Sequence, residues 1–131
     1  MTFAIARDEA SAAFFDAAAE GTLLLRRCPT CGEVFAPHQA RCADGSELSW
    51  EPSAGRGTLV SWAVDPLPAV DEQLATPAGG TCLGLVELAE GPWLHAAIVD
   101  VDPAVLHEGE ALQVRFVRPG GGEPVPAFAP A

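Results

Sequence analysis

Three thiols and a carboxylate sit at spacings that suit a metal ion: Cys28-Pro29-Thr30-Cys31-Gly32 and, further along, Cys42-Ala43-Asp44-Gly45. Two thiolates separated by two residues are aimed at one ion by the tight turn between them, and the glycine that follows relaxes the backbone. The second half-site departs from this pattern, with Asp44 standing one residue closer to Cys42 than a second thiolate would. Zinc accepts carboxylate oxygen and imidazole nitrogen as well as sulfur, so Cys28, Cys31 and Cys42 form a set that either Asp44 or His38 could complete. The competing reading is a ribbon that has lost its metal and survives as a packed turn. A redox use of Cys28 and Cys31 is weaker, because such pairs are read beside a βαβ pattern and none surrounds this one. Cys82, between Thr81 and Leu83 in an apolar run, reads as a buried core thiol.

No other set of residues assembles into a catalytic constellation. His38, His95 and His107 are scattered, and His95 reads as a core or barrel-wall residue on a strand. Ser61 has no base beside it in sequence to activate it as a nucleophile. Glu87, Glu90, Asp100 and Asp102 fall where strand ends and solvated loops are expected. Gly55-Arg56-Gly57 is too short for a phosphate-cradling loop, and a turn explains it.

Composition narrows the partners. The formal net charge is -11, with seven basic residues, all Arg, against eighteen acidic ones. Nucleic-acid binding draws its affinity from cations that neutralise phosphates, so this balance argues against it. After the cysteine region the only cations are Arg56, Arg115 and Arg118, the candidates for contacts to phosphates. The start, Met1 to Arg7, is too short an apolar run for a secretory signal, and no stretch approaches the length that spans a membrane. Thiols in metal-like spacing, outside any disulfide framework, point to a cytoplasmic protein.

The elements that must position these residues are short. Asp8 to Glu20 is rich in Ala, with Phe14, Phe15 and Ala18 on one apolar stripe; Asp8 or Ser11 is placed to cap this helix and Gly21 to stop it. The stripe either packs on the protein's own core or docks another subunit. Thr22 to Arg26 and Glu33 to Pro37 read as hairpin strands around the first knuckle, and Glu47 to Trp50 leaves the second. Then come four strands, Thr58 to Val64, Thr81 to Leu88, Trp93 to Val99 and Leu112 to Val117, with a single helical turn expected after Asp102. The Pro- and Gly-rich segment Asp65 to Gly80 suits a long mobile loop, and the tail from Pro119 to Ala131 suits an extended segment. The expected architecture is mainly β, with an N-terminal docking helix (1–21), small zinc-ribbon-like hairpins (22–54) and a five-stranded OB-fold barrel with an extended tail (55–131). A ribbon this small cannot bury enough apolar surface alone and must lean on the rest.

The order of parts resembles the DUF35 family. The resemblance runs through Phe14-Phe15, Leu25 to Gly32, Phe35-Ala36-Pro37, Trp50 and Gly55 to Trp62, then Val86 to Pro92 and the ending Val125 to Pro130. It implies a rubredoxin-like zinc ribbon joined to an acyl-CoA-associated OB-fold. It also implies a non-catalytic small subunit, in a hetero-oligomer with a thiolase-like acyl-CoA enzyme (a thiolase, aldolase or acyltransferase) or with an enoyl-CoA hydratase. The large partner carries the nucleophile, and the small one docks and shapes the acyl-CoA path. The alternative is a free-standing OB-fold module that holds acyl-CoA or another small ligand, with Arg56, Arg115 and Arg118 on the CoA phosphates.

Overall fold

A computed structural model describes residues 4–131. The N-terminal segment is laid against the far end of the chain: the Glu123 N–H donates to the Ile5 carbonyl at 2.9 Å. Arg7 bridges Glu123 and, at 2.5 Å, Asp16. Helix α1 spans Ala12–Ala19, shorter than expected, because the Asp8 carboxylate accepts from the Ser11 N–H and hydroxyl and closes a separate turn first. Its end is set by Gly21 at φ 86°. The Thr22 and Gly21 N–H groups bond back to the Ala17 and Ala18 carbonyls, a Schellman closure that a left-handed glycine permits.

The ribbon is a small antiparallel sheet in the order β2-β1-β3, from β1 (Leu24–Arg27), β2 (Val34–Phe35) and β3 (Ser49–Pro52). Five strands follow: β4 (Arg56–Asp65), β5 (Thr81–Leu88), β6 (Trp93–Ile98), β7 (Ala111–Val117) and β8 (Val125–Pro130). They close into a barrel in the order β4-β5-β6-β8-β7. A bulge between Leu59 and Ser61 bends β4 across the barrel. The single helical turn expected after Asp102 is present at Pro103–Val105, capped by the Asp102 carboxylate on the Ala104 N–H.

The tail departs from expectation. It is strand β8, antiparallel to β7 and parallel to β6 at Ala97–Ala127 and Ile98–Phe128, and it completes the barrel. Phe128 is fully buried in the main core. His95 faces outward from the barrel wall and is exposed, so it has no core role.

The segment 66–80 is more firmly held than its Pro and Gly content suggests. Asp71 accepts from the Gln73 and Gly120 N–H groups, which hold its carboxyl below the usual carboxylate range, Gly120 contributing most. The Gln73 side chain bonds both the N–H and the carbonyl of Arg118. Together they tie the segment to the turn at Pro119–Gly121.

One core runs through both sheets. Leu23 and Leu25, from the ribbon side, are buried with Leu59, Val86, Ile98, Leu112 and Phe128 of the barrel. Glu90 locks the junction by accepting from the Ser53 hydroxyl and the Ala54 N–H. The ribbon leans on the barrel by lending it side chains. Helix α1 adds Phe15 and Ala18, both buried, so that part of the stripe belongs to the protein's own core.

Candidate functional site

Each cysteine is presented by a backbone turn. In the first knuckle the Gly32 N–H bonds the Cys28 carbonyl at 2.8 Å, with Gly32 at φ 78°. The Cys31 N–H points at the Cys28 sulfur, 3.4 Å away. The second knuckle repeats the device: the Gly45 N–H bonds the Cys42 carbonyl and Gly45 has φ 87°. The Ser46 N–H orients one oxygen of Asp44 at 2.8 Å. The Thr30 and Ser46 hydroxyls meet at 3.0 Å and couple the two knuckles.

The ligand atoms of Cys28, Cys31, Cys42 and Asp44 all lie within 4.8 Å of one another. Cys31 and Cys42 sulfurs are 3.7 Å apart, and the Cys28 sulfur is 3.7 Å from an Asp44 oxygen. A tetrahedral zinc with bonds of about 2.3 Å sets its ligand atoms roughly 3.8 Å apart, so the donor set fits that ion. Asp44 makes up the shorter spacing because its carboxylate oxygen stands one bond further from the backbone than a cysteine sulfur does. His38 is outside the cluster; its ring lines the groove between α1 and the ribbon, with Arg26 and Trp50. Backbone N–H groups, the Cys31 one foremost, hold the Cys28 thiol below its ordinary value. At Cys42 the Asp44 N–H favours the thiolate, but burial, the neighbouring sulfurs and the Asp44 carboxylate outweigh it and push the thiol up to about 11. A cation would reverse that balance by compensating the crowded negative charge. Cys82 is fully buried, and desolvation raises its thiol; it packs in the barrel core, as its apolar surroundings in the sequence suggested.

The three barrel arginines have different surroundings. Arg56 borders a shallow groove with Thr58 and Glu87. Arg115 is paired with Asp100 at 3.2 Å. Arg118 lies near α1, bonded to the Gly122 carbonyl.

What sequence reading missed is a cation on the ribbon. Arg26 stands opposite Trp50 in the β1–β3 ladder, with its guanidinium 3.4 Å from the indole centroid. Phe14 of α1 reaches the same indole, ring centroids 6.4 Å apart. The signal was available only once β1 and β3 were put in register.

The fold and the knuckle define a zinc-ribbon and OB-fold protein. The family model for the ChsH2 C-terminal OB-fold domain matches residues 50–117, and that for the ChsH2 rubredoxin-like zinc ribbon domain matches residues 15–48. The chain belongs to the DUF35 family, in its ChsH2 form. Among solved structures it is similar to a chain of the Ltp2-ChsH2(DUF35) aldolase, at 25% identity and a TM-score of 0.79, covering 96% of this chain and 98% of that one. A DUF35 protein of unknown function from Sulfolobus solfataricus shares the fold at 12% identity and a TM-score of 0.57, over 81% of this chain and 77% of that one. No helix among the described residues is long and apolar enough to cross a membrane.

Proposed function

We propose that this chain is a non-catalytic accessory subunit of a thiolase-like acyl-CoA enzyme, docking its partner and helping to shape the acyl-CoA site the partner carries. The observation that carries this reading is the near end-to-end similarity, over 96% and 98% of the two chains, to a subunit of the Ltp2-ChsH2(DUF35) aldolase. Within it, Cys28, Cys31, Cys42 and Asp44 hold a structural zinc that closes the ribbon, and zinc binding is a source of folding free energy for small sites of this kind. The helix and ribbon form the docking side, and the barrel stands beside the CoA path. A free-standing CoA module finds less support, since Arg115 is already paired with Asp100 and Arg118 is bonded to the Gly122 carbonyl.

The test is kinetic. A thiolase-like protein from the same organism is assayed for retro-aldol or thiolytic turnover with and without this chain, and the chain alone is titrated with CoA and acetyl-CoA by calorimetry. The proposal expects no turnover by the chain alone, a changed partner rate, and no micromolar CoA binding without the partner. An unchanged partner rate together with micromolar CoA binding by the isolated chain favours the module instead.

A further inference from the structure

Arg26 occupies an unusual position for a cation in so acidic a chain. Arg7, Arg27, Arg41 and Arg115 each have a carboxylate within ion-pairing distance. Arg26 is half-buried, and burial lowers the pKa of its guanidinium, yet among the described residues it has no carboxylate partner. Its Nε donates to the Pro37 carbonyl at 3.3 Å and its plane rests on Trp50, which leaves the terminal nitrogens unengaged by described residues. The guanidinium lines an open groove of about 380 Å³ with Asp8, Phe14, Pro37, His38 and Trp50. Asp8 lines the same groove without an ion pair to Arg26, one of its oxygens accepting from the N–H and hydroxyl of Ser11.

We infer that this groove is a recognition site for a single carboxylate on a partner-protein segment that carries no other negative charge, the Asp or Glu seated on the Arg26 fork and a neighbouring apolar side chain on Phe14 and Trp50. A planar guanidinium fixed by stacking and by one carbonyl is pre-organised for bidentate carboxylate binding. One cation between largely apolar walls neutralises one negative charge. A polyphosphate such as CoA brings several, and the net charge of -11 repels it. Identifying the partner as the thiolase-like subunit rests on the accessory-subunit reading; the carboxylate site does not.

Two measurements decide it. In the first, the indole N–H resonance of Trp50, the ring on which Arg26 rests, is followed by NMR in the zinc-loaded chain against butyrate and against inorganic phosphate. Saturable butyrate binding that is lost in Arg26→Met, with phosphate weaker, supports the site; no butyrate response, or tighter phosphate binding, overturns it. In the second, affinity for a captured thiolase-like partner is compared among wild type, Arg26→Met, Arg26→Lys and Arg41→Met. The inference expects at least a tenfold loss for both Arg26 variants and none for Arg41→Met, because Arg41 is already paired with Glu47. Equal affinity of Arg26→Met and wild type overturns the docking assignment. If wild type captures no thiolase-like protein, the accessory-subunit reading fails, and the butyrate titration alone decides the site.

Discussion

Leu25→Ala tests whether ribbon and barrel fold as one unit. Leu25 lies on a ribbon strand, yet its side chain is fully buried in the barrel core beside Leu23 and Phe128. Truncation removes three carbons, which at about 0.8 kcal/mol each is roughly 2.4 kcal/mol of lost transfer free energy. The fixed strands around the site resist collapse, and the residual cavity raises the cost to about 3–4 kcal/mol. For a chain of this size that corresponds to a fall in Tm of roughly 12–16 °C. The assay is guanidinium unfolding of the zinc-loaded protein, read from the indole NMR signals of Trp50 in the ribbon and Trp62 in the barrel. Both signals should shift to lower denaturant together. A ribbon transition that moves while the Trp62 transition stays in place would refute the shared core, as would a Tm change below about 1 kcal/mol equivalent.

Phe15→Asp should destabilise the isolated chain by at least about 3 kcal/mol, because Phe15 is 9% exposed and the new carboxylate has no partner; a wild-type melting curve contradicts this. Gly84→Ala should cost about 1–3 kcal/mol in chemical denaturation, because its methyl would stand 2.6 Å from the Ile98 Cδ1 atom; an unchanged midpoint means the core yields there more easily than its packing implies. Asp44→Asn should weaken zinc at least tenfold in chelator competition, with Cys31→Ala weaker still; equal zinc affinity in all three proteins removes Asp44 and Cys31 from the ligand set. Asp71, whose folded pKa is depressed, stabilises the fold above its unfolded value near about 3.9 and loses that contribution as pH falls through the lower folded value. Asp71→Asn should therefore flatten the dependence of Tm on pH below about 4, and an identical acid limb in the variant contradicts the role.

Much of the architecture is written locally and was therefore readable. The two-residue cysteine spacing, the Gly32 and Gly45 turns, the Ala-rich helix stopped by Gly21, and four barrel strands each depend on neighbours in sequence. Strand β8 was hidden because Pro126 and Pro130 break the strand signature and three glycines precede them. Both prolines fall outside the short stretch paired with β6, where Ala127 and Phe128 make the parallel contact. The anchoring of segment 66–80 was equally hidden, since Asp71 and Gln73 act on Gly120 and Arg118, far away in sequence. Choosing Asp44 over His38 required the turn geometry that aims one carboxylate oxygen at the sulfurs. The Arg26–Trp50 stack depends on cross-strand register, which spacing alone does not supply.

The most direct measurement is affinity capture of the tagged, zinc-loaded chain from an extract of its own organism, followed by mass spectrometry and light scattering of the eluted species. The account predicts one dominant thiolase-like protein, co-eluting in a hetero-oligomer of defined mass. A chain that elutes alone at its physiological concentration, with no acyl-CoA enzyme recovered, would contradict it.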